Sequence, residues 1–247
     1  MEKRNIKLIL EYDGSAYHGW QRQKKDLTIQ EVLEEHIRII TNETVSVLGS
    51  GRTDAGVHAL HQVCNFKTNS NIAPEPMRSS LNSLLPDDIF IKNLEDVSPD
   101  FHSRYSAKSK VYEYRIWNRK EPNIFLRDFI WHVRGKMLID DMRRCLSMLV
   151  GEHDFSSFRS SGSSNRNPVR KMMRAELIEP EEGMFSFVFE AEGFLRHMVR
   201  NIVGTVITVG RGSISPEGFS EIFLAKDRCK AGINAPPHGL FLINVKY

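Results

Sequence analysis

The sequence predicts an α+β fold made of two β-α-β-β-α-β units in tandem. Three observations carry that prediction: a composition of 40% hydrophobic and 26% charged residues over 247 positions, apolar runs of period two alternating with stretches of helical period, and the return of one element order from Val111 onward. A chain of this length buries roughly 70–75% of the surface its unfolded form exposes, so it needs neither disulfides nor a structural metal to fold.

Residues 6–12 alternate and read as the opening strand. Thr28-x-x-Glu31 has the form of a capping box, so a helix is expected behind it, with Val32, Leu33, His36, Ile37 and Ile40 as its inner stripe. A strand is expected at residues 44–48, then a glycine-rich turn and a strand through 63–66. Residues 74–85 read as a helix stopped by Pro86, and 89–94 as the strand that closes the first unit. The second unit repeats the order. It has a strand at 111–118, a helix at 139–150 ended by Gly151, strands near 169–178 and 184–192, a helix at 195–209 and a last strand at 240–245. Residues 1–105 and 106–247 are therefore expected to be the two α/β units.

No apolar run approaches the roughly 20 residues that a bilayer span requires, and the first residues, MEKRNIKLILEY, have no signal-peptide pattern. A cytoplasmic protein is expected. Cys64, Cys145 and Cys229 are widely spaced with no C-x-x-C pair, which points to reduced thiols.

The net charge of +3 conceals an asymmetry. Up to Tyr105 the chain has 12 Lys and Arg against 15 Asp and Glu, a net of −3; the remainder has 22 against 16, a net of +6. The excess is concentrated in residues 155–175, where Arg159, Arg166, Arg170, Lys171 and Arg174 stand among serines, Asn165 and Asn167 with no acidic residue. That is the pattern of a surface that follows a polyanion backbone, although a solvated loop has the same composition. The stretch Tyr17-His-Gly-Trp-Gln-Arg-Gln-Lys-Lys25 mixes aromatic surfaces with cations in the manner that single-stranded nucleic acid favours.

The densest polar motif is Gly49-Ser-Gly-Arg-Thr-Asp-Ala-Gly-Val-His58. It is no dinucleotide fingerprint, because glycine does not recur three residues after Gly51 and no helix opens behind it. It is no P-loop either, since Val57 stands where lysine would meet phosphate. What remains is the Asp54 carboxylate beside the Arg52 guanidinium on a constrained turn, able to act as nucleophile or general base, or to form an Asx turn with a surface ion pair. His58-x-x-His61-x-x-Cys64 has the side chains of a zinc site, but a spacing of three on a strand sends successive members to opposite faces, so no metal is expected. Tyr112, Tyr114 and Ile116 share one face of their strand, where a tyrosine ring packs in the core or stacks on a base. On the later helix Met198, Val199, Ile202, Val203 and Val206 form the buried stripe, leaving Arg196 and Arg200 at i, i+4 on a more polar side.

Taken together, Tyr12-Asp-Gly-Ser-Ala-Tyr-His-Gly-Trp-Gln-Arg-Gln23, Gly51-Arg-Thr-Asp-Ala-Gly-Val-His-Ala59, Tyr112-x-Tyr-x-Ile-x-Asn118, Gly151-Glu-His-Asp-Phe-x-x-Phe158, Met198-Val-Arg-Asn-Ile-Val-Gly204 and Ala235-Pro-Pro-His-Gly-Leu-Phe-Leu242 resemble the tRNA pseudouridine synthase A family nearly end to end. The chain departs from the family pattern at His61 and at Ile233-Asn234. The resemblance implies two ferredoxin-like units forming a continuous mixed, mainly antiparallel sheet with helices packed on it. It further implies conversion of uridine to pseudouridine at positions 38, 39 and 40 of the tRNA anticodon stem-loop, by a homodimer that needs no cofactor or metal. Carried onto this sequence, it makes Asp54 the nucleophile, packs Tyr112 against the target base, pairs Arg200 with Asp54, lines the pocket with Leu240 and gives Arg52 contact with the flipped nucleotide.

Such chemistry conserves atoms and needs no redox partner. A carboxylate can attack ribose C1′ or add to uracil C6, and either route requires it ionised in a site that excludes water. Two rival readings exist. A non-catalytic RNA-binding protein would show the same basic surface, and a zinc-dependent deaminase would place metal on His58, His61 and Cys64.

Overall fold

A computed structural model describes residues 3–162 and 167–247. The chain forms two compact units, one comprising the chain up to Lys108 together with Phe241–Tyr247, the other Ser109–Leu240. Both are α+β.

The first unit opens with β1 (Arg4–Tyr12), in which Ile6, Leu8, Leu10 and Tyr12 alternate inward. Helix α1 (Ile29–Thr41) buries Ile29, Val32, Leu33 and Ile37 and ends on Asn42, whose φ of 57° gives a left-handed cap donating to the Arg38 carbonyl. Thr28 occupies the N-cap position, but its side chain makes no cap bond. The helix's first donors are satisfied by another segment: Ile29 N–H donates to Gly19 O (3.2 Å) and Gln30 N–H to Trp20 O (3.0 Å).

The strand expected at 44–48 shrinks to β2 (Leu48–Gly49). Val47 explains the loss, since its N–H donates to the Glu34 carboxylate and its carbonyl accepts from the Gln30 amide, so its backbone polarity is used by α1. Next come β3 (His58–Thr68), longer than its apolar centre suggests, α2 (Pro74–Leu84) and β4 (Ile89–Val97). β1 lies between β4 and β3, antiparallel to both, and β2 pairs with β3. α2 packs on β4 and α1 on α2.

The second unit contains β5 (Ser109–Trp117), β6 (Trp131–His132), α3 (Ile139–Ser147), β7 (Gly151–Asp154), β8 (Val169–Glu181), β9 (Met184–Ala191), α4 (Met198–Gly210) and α5 (Pro216–Leu224). β5, β9, β8 and β7 are antiparallel neighbours in that order, and β6 adds in parallel beside β5. α3 packs on α4, α5 and β8. Helix α4 begins three residues later than periodicity suggests because His197 adopts φ 60°, which ends the helical run on its N-terminal side. Arg196 therefore lies outside the helix and donates to Ser161 O, so it does not share a helical face with Arg200. Helix α5 carries its own start signals, Ser215 accepting from Gly218 N–H and Pro216 at the first position, and it buries Phe219 against Phe158.

The last strand, β10 (Leu240–Lys246), joins the first unit from Phe241 on, parallel to β3 in the register Phe241↔His58 and Leu242↔Ala59. Among the described residues no helix is long and apolar enough to cross a membrane.

Candidate active site

The motif around Asp54 forms the loop between β2 and β3, and the Tyr12–Trp20 motif is folded against it. Trp20 N–H donates to Thr53 O (3.1 Å), Gly56 N–H to Tyr17 O (3.2 Å), and Gly14 N–H approaches His58 Nδ1 at 3.1 Å. Backbone meets backbone so closely that a Cβ on Gly14 would lie 2.1 Å from Val57 O, and one on Gly19 would lie 2.5 Å from Thr53 O. The glycines are thus the condition for this contact. The buried indole of Trp20 lies under β2, where Gly49 leaves room for it: a Cβ there would lie 2.6 Å from the ring.

Behind the loop is a buried polar network. The Tyr12 hydroxyl bonds Thr53 Oγ1 at 2.8 Å, Ser50 Oγ donates to Gln62 Oε1 at 2.7 Å, and Gln62 Nε2 donates to Gly51 O at 3.1 Å. Burial raises the Tyr12 hydroxyl above its usual range, with the bonds to Thr53 and Gln62 opposing, so it stays a neutral donor. In front, Asp54 is half-buried and Arg52 exposed, and Val57 N–H closes the turn on Asp54 O at 3.1 Å.

His58 ends the loop. It is buried, its Nδ1 lies 3.0 Å from Asp13 Oδ1, and its ring stacks on Phe241 with centroids 4.7 Å apart. His61 is half-buried, with burial lowering its pKa, and Cys64 is buried with its thiol raised by desolvation. Among the described residues no three His, Cys, Asp or Glu side chains form a group able to hold a metal ion.

In the second unit, Tyr112 and Tyr114 point the same way from β5. Tyr112 is buried with its ring edge-on to Phe194, and Tyr114 donates its hydroxyl to Pro236 O at 2.8 Å. Burial raises the Tyr114 hydroxyl strongly, and the positive charge of Arg200 acts against that shift.

Arg200 lies in the first turn of α4, half-buried. Its Nε donates to Ala235 O (2.8 Å) while Ala235 N–H donates to the Arg200 carbonyl (3.1 Å), so side chain and segment hold each other. His238, three residues on, is lowered by burial first and by Arg200 among the smaller causes. Leu240 is buried. Of the five residues singled out by sequence, Asp54 and Arg52 thus share one loop of the first unit, and Tyr112, Arg200 and Leu240 lie in the second.

The basic run divides. Asn165 and Arg166 lie outside the described residues. Arg174 is paired with Glu176 at 2.7 Å, and Lys171 is exposed. Arg170 is held below the usual guanidinium range by burial and then by the like charge of Arg159. Sequence reasoning missed Gln62 and Glu34. Both are buried polar side chains, and nothing in their local sequence marks them as buried.

Compared with known proteins, the chain matches the family described as tRNA pseudouridine synthase over residues 8–106 and 146–247. It is 48% identical over 244 residues to tRNA pseudouridine synthase A of Thermoanaerobacter sp. (strain X514), covering 99% of this chain and 100% of that one. At the same coverage it is 47% identical to tRNA pseudouridine synthase A of Acetivibrio thermocellus and 46% identical to tRNA pseudouridine synthase A 2 of Clostridium perfringens (strain 13 / Type A).

Proposed function

The chain belongs to the tRNA pseudouridine synthase family, and on that premise we propose that it converts uridine to pseudouridine at positions 38, 39 and 40 of the tRNA anticodon stem-loop, with Asp54 as nucleophile. The observation that carries the assignment is the contrast across one loop. A half-buried carboxylate stands at its tip, while the backbone leading into it is locked from behind by buried Tyr12, Thr53, Ser50 and Gln62. A preorganised carboxylate is what covalent catalysis at a sugar or base carbon requires.

The reaction breaks the bond between N1 and ribose C1′, turns the freed uracil and rejoins it through C5, with the C5 proton lost to a base. Asp54 serves attack at C1′ and addition at C6 equally well. A base inside a stem must first leave the stack at a cost of a few kcal/mol. In this reading Arg52 contacts the displaced nucleotide, Tyr112 packs on the uracil, Leu240 lines the pocket and keeps water out, and Arg200 pairs with Asp54. The acidic residues 1–105 supply the nucleophile and the basic residues 106–247 supply the surface for the phosphate backbone. The enzyme works as a cytoplasmic homodimer without cofactor or metal.

The test is Asp54→Asn, assayed with unmodified tRNA and no added metal. Binding is expected to persist while pseudouridine formation disappears. Near wild-type turnover by the variant would remove Asp54 from the chemistry, and tRNA binding without any modified base by the wild-type protein would leave an RNA-binding module.

A further inference from the structure

One buried side chain holds the segment leading into Asp54 at more than one point and takes no part in the chemistry above. Gln62 is fully buried on β3. Its Oε1 accepts from Ser50 Oγ (2.7 Å) and from Val63 N–H (3.1 Å), and its Nε2 donates to Gly51 O (3.1 Å) and reaches the Tyr12 hydroxyl at 3.5 Å. That hydroxyl in turn bonds Thr53 Oγ1 at 2.8 Å. Two of these partners have fixed polarity: a carbonyl oxygen only accepts and a backbone N–H only donates. They set which end of the amide faces which way, so the orientation follows from the backbone itself.

We propose that Gln62 is the positioning residue of the nucleophile, setting Asp54 through two points on the segment that leads into it, the Gly51 carbonyl and, by way of Tyr12, the Thr53 hydroxyl. The inference rests on Asp54 being the nucleophile. An amide offers a donor to Gly51 O and an acceptor to Ser50 at the same time and at every pH. Glutamate has the same shape, but once ionised it only accepts, so it would set a carboxylate oxygen against the Gly51 carbonyl and drive the loop off its position. A misplacement of about 1 Å at a reacting group costs on the order of 100-fold in rate.

The test measures kcat, KM for tRNA and thermal melting for Gln62→Glu against wild type, between about pH 6 and about pH 9. Protonated, the introduced carboxyl still donates to Gly51 O; ionised, it cannot. The ratio of variant to wild-type kcat is therefore expected to fall as pH rises, by about 10- to 100-fold overall, with KM changed less than about twofold. A folded variant whose kcat ratio is flat with pH, or whose loss follows KM and melting, overturns the proposal. If Gln62→Glu does not fold, Tyr12→Phe decides, because it removes only the link from Gln62 to Thr53: a lowered kcat at unchanged KM supports the proposal and an unchanged kcat overturns it. Asp54→Asn run alongside separates the two ideas. Turnover by that variant removes the nucleophile reading itself, whereas an inactive Asp54→Asn beside a pH-indifferent Gln62→Glu removes only the positioning role.

Discussion

Gly204→Ala should destabilise this protein although the position lies inside α4, where alanine ordinarily gains about 1 kcal/mol over glycine. The reason is the segment that crosses the helix. A Cβ at position 204 would lie 1.8 Å from the Ile233 carbonyl oxygen, 2.9 Å from its carbon and 3.3 Å from Ala235 N. To restore ordinary contact the segment must retreat by more than about 1 Å.

It is held there by Ala235 N–H on Arg200 O (3.1 Å), Arg200 Nε on Ala235 O (2.8 Å) and Gly232 N–H on Thr205 Oγ1 (2.9 Å). A retreat of that size breaks one or two of these bonds at about 1 kcal/mol each. Overpacking adds about 1–3 kcal/mol, so after the helix gain a net loss of about 1–4 kcal/mol is expected. Urea unfolding reads it as a lower midpoint at unchanged slope. Because the Arg200 side chain loses its anchor on Ala235, kcat should fall as well under conditions where the variant is folded. A variant as stable as wild type, with unchanged kcat, would refute the reasoning.

Two further outcomes follow from burial and charge. Cys229 is exposed, whereas Cys64 and Cys145 are buried, the Cys145 thiol being pushed up to about 12 by burial; a thiol reagent near pH 8 should titrate one cysteine in the native protein and all three after denaturation, and rapid reaction of a second native thiol would contradict the structure. If exposed Lys171 meets a tRNA phosphate, Lys171→Ala should reduce the slope of log affinity against log salt by about 1, and an unchanged slope would place the backbone elsewhere.

Where apolar residues repeat with a regular period, the elements were readable. β1 and α2 lie close to their expected bounds because their burial patterns follow the period along the chain, and β9 does so as a run buried at almost every position. The failures have a common cause, backbone groups that bond outside their own element. Val45 and Val47 look like a strand, yet Val47 spends its N–H and carbonyl on Glu34 and Gln30. Thr28 looks like a cap, yet its side chain makes no cap bond, and the Ile29 and Gln30 N–H groups go to the Gly19 and Trp20 carbonyls. Arg196 and Arg200 look like a helical pair, and a single left-handed residue, His197, separates them. Helix α5 has its start written in Ser215-Pro216, a local signal.

The candidate site divides along the same line. Residue chemistry singled out Asp54, Arg52, Tyr112 and Arg200 as candidates, because a carboxylate beside a guanidinium among glycines, or a tyrosine on a strand, is a property of neighbours in sequence; Leu240 and the role of each residue came only from the resemblance to the family. Why the loop of Asp54 needs Gly14 and Gly19, why Trp20 needs Gly49 and what Gln62 holds were decided by tertiary structure. Those contacts join residues far apart in the chain, at distances set by backbone meeting backbone, and no local period encodes them. The candidate residues were written in short motifs; the contacts that hold the Asp54 loop come from where distant glycines allow those motifs to touch.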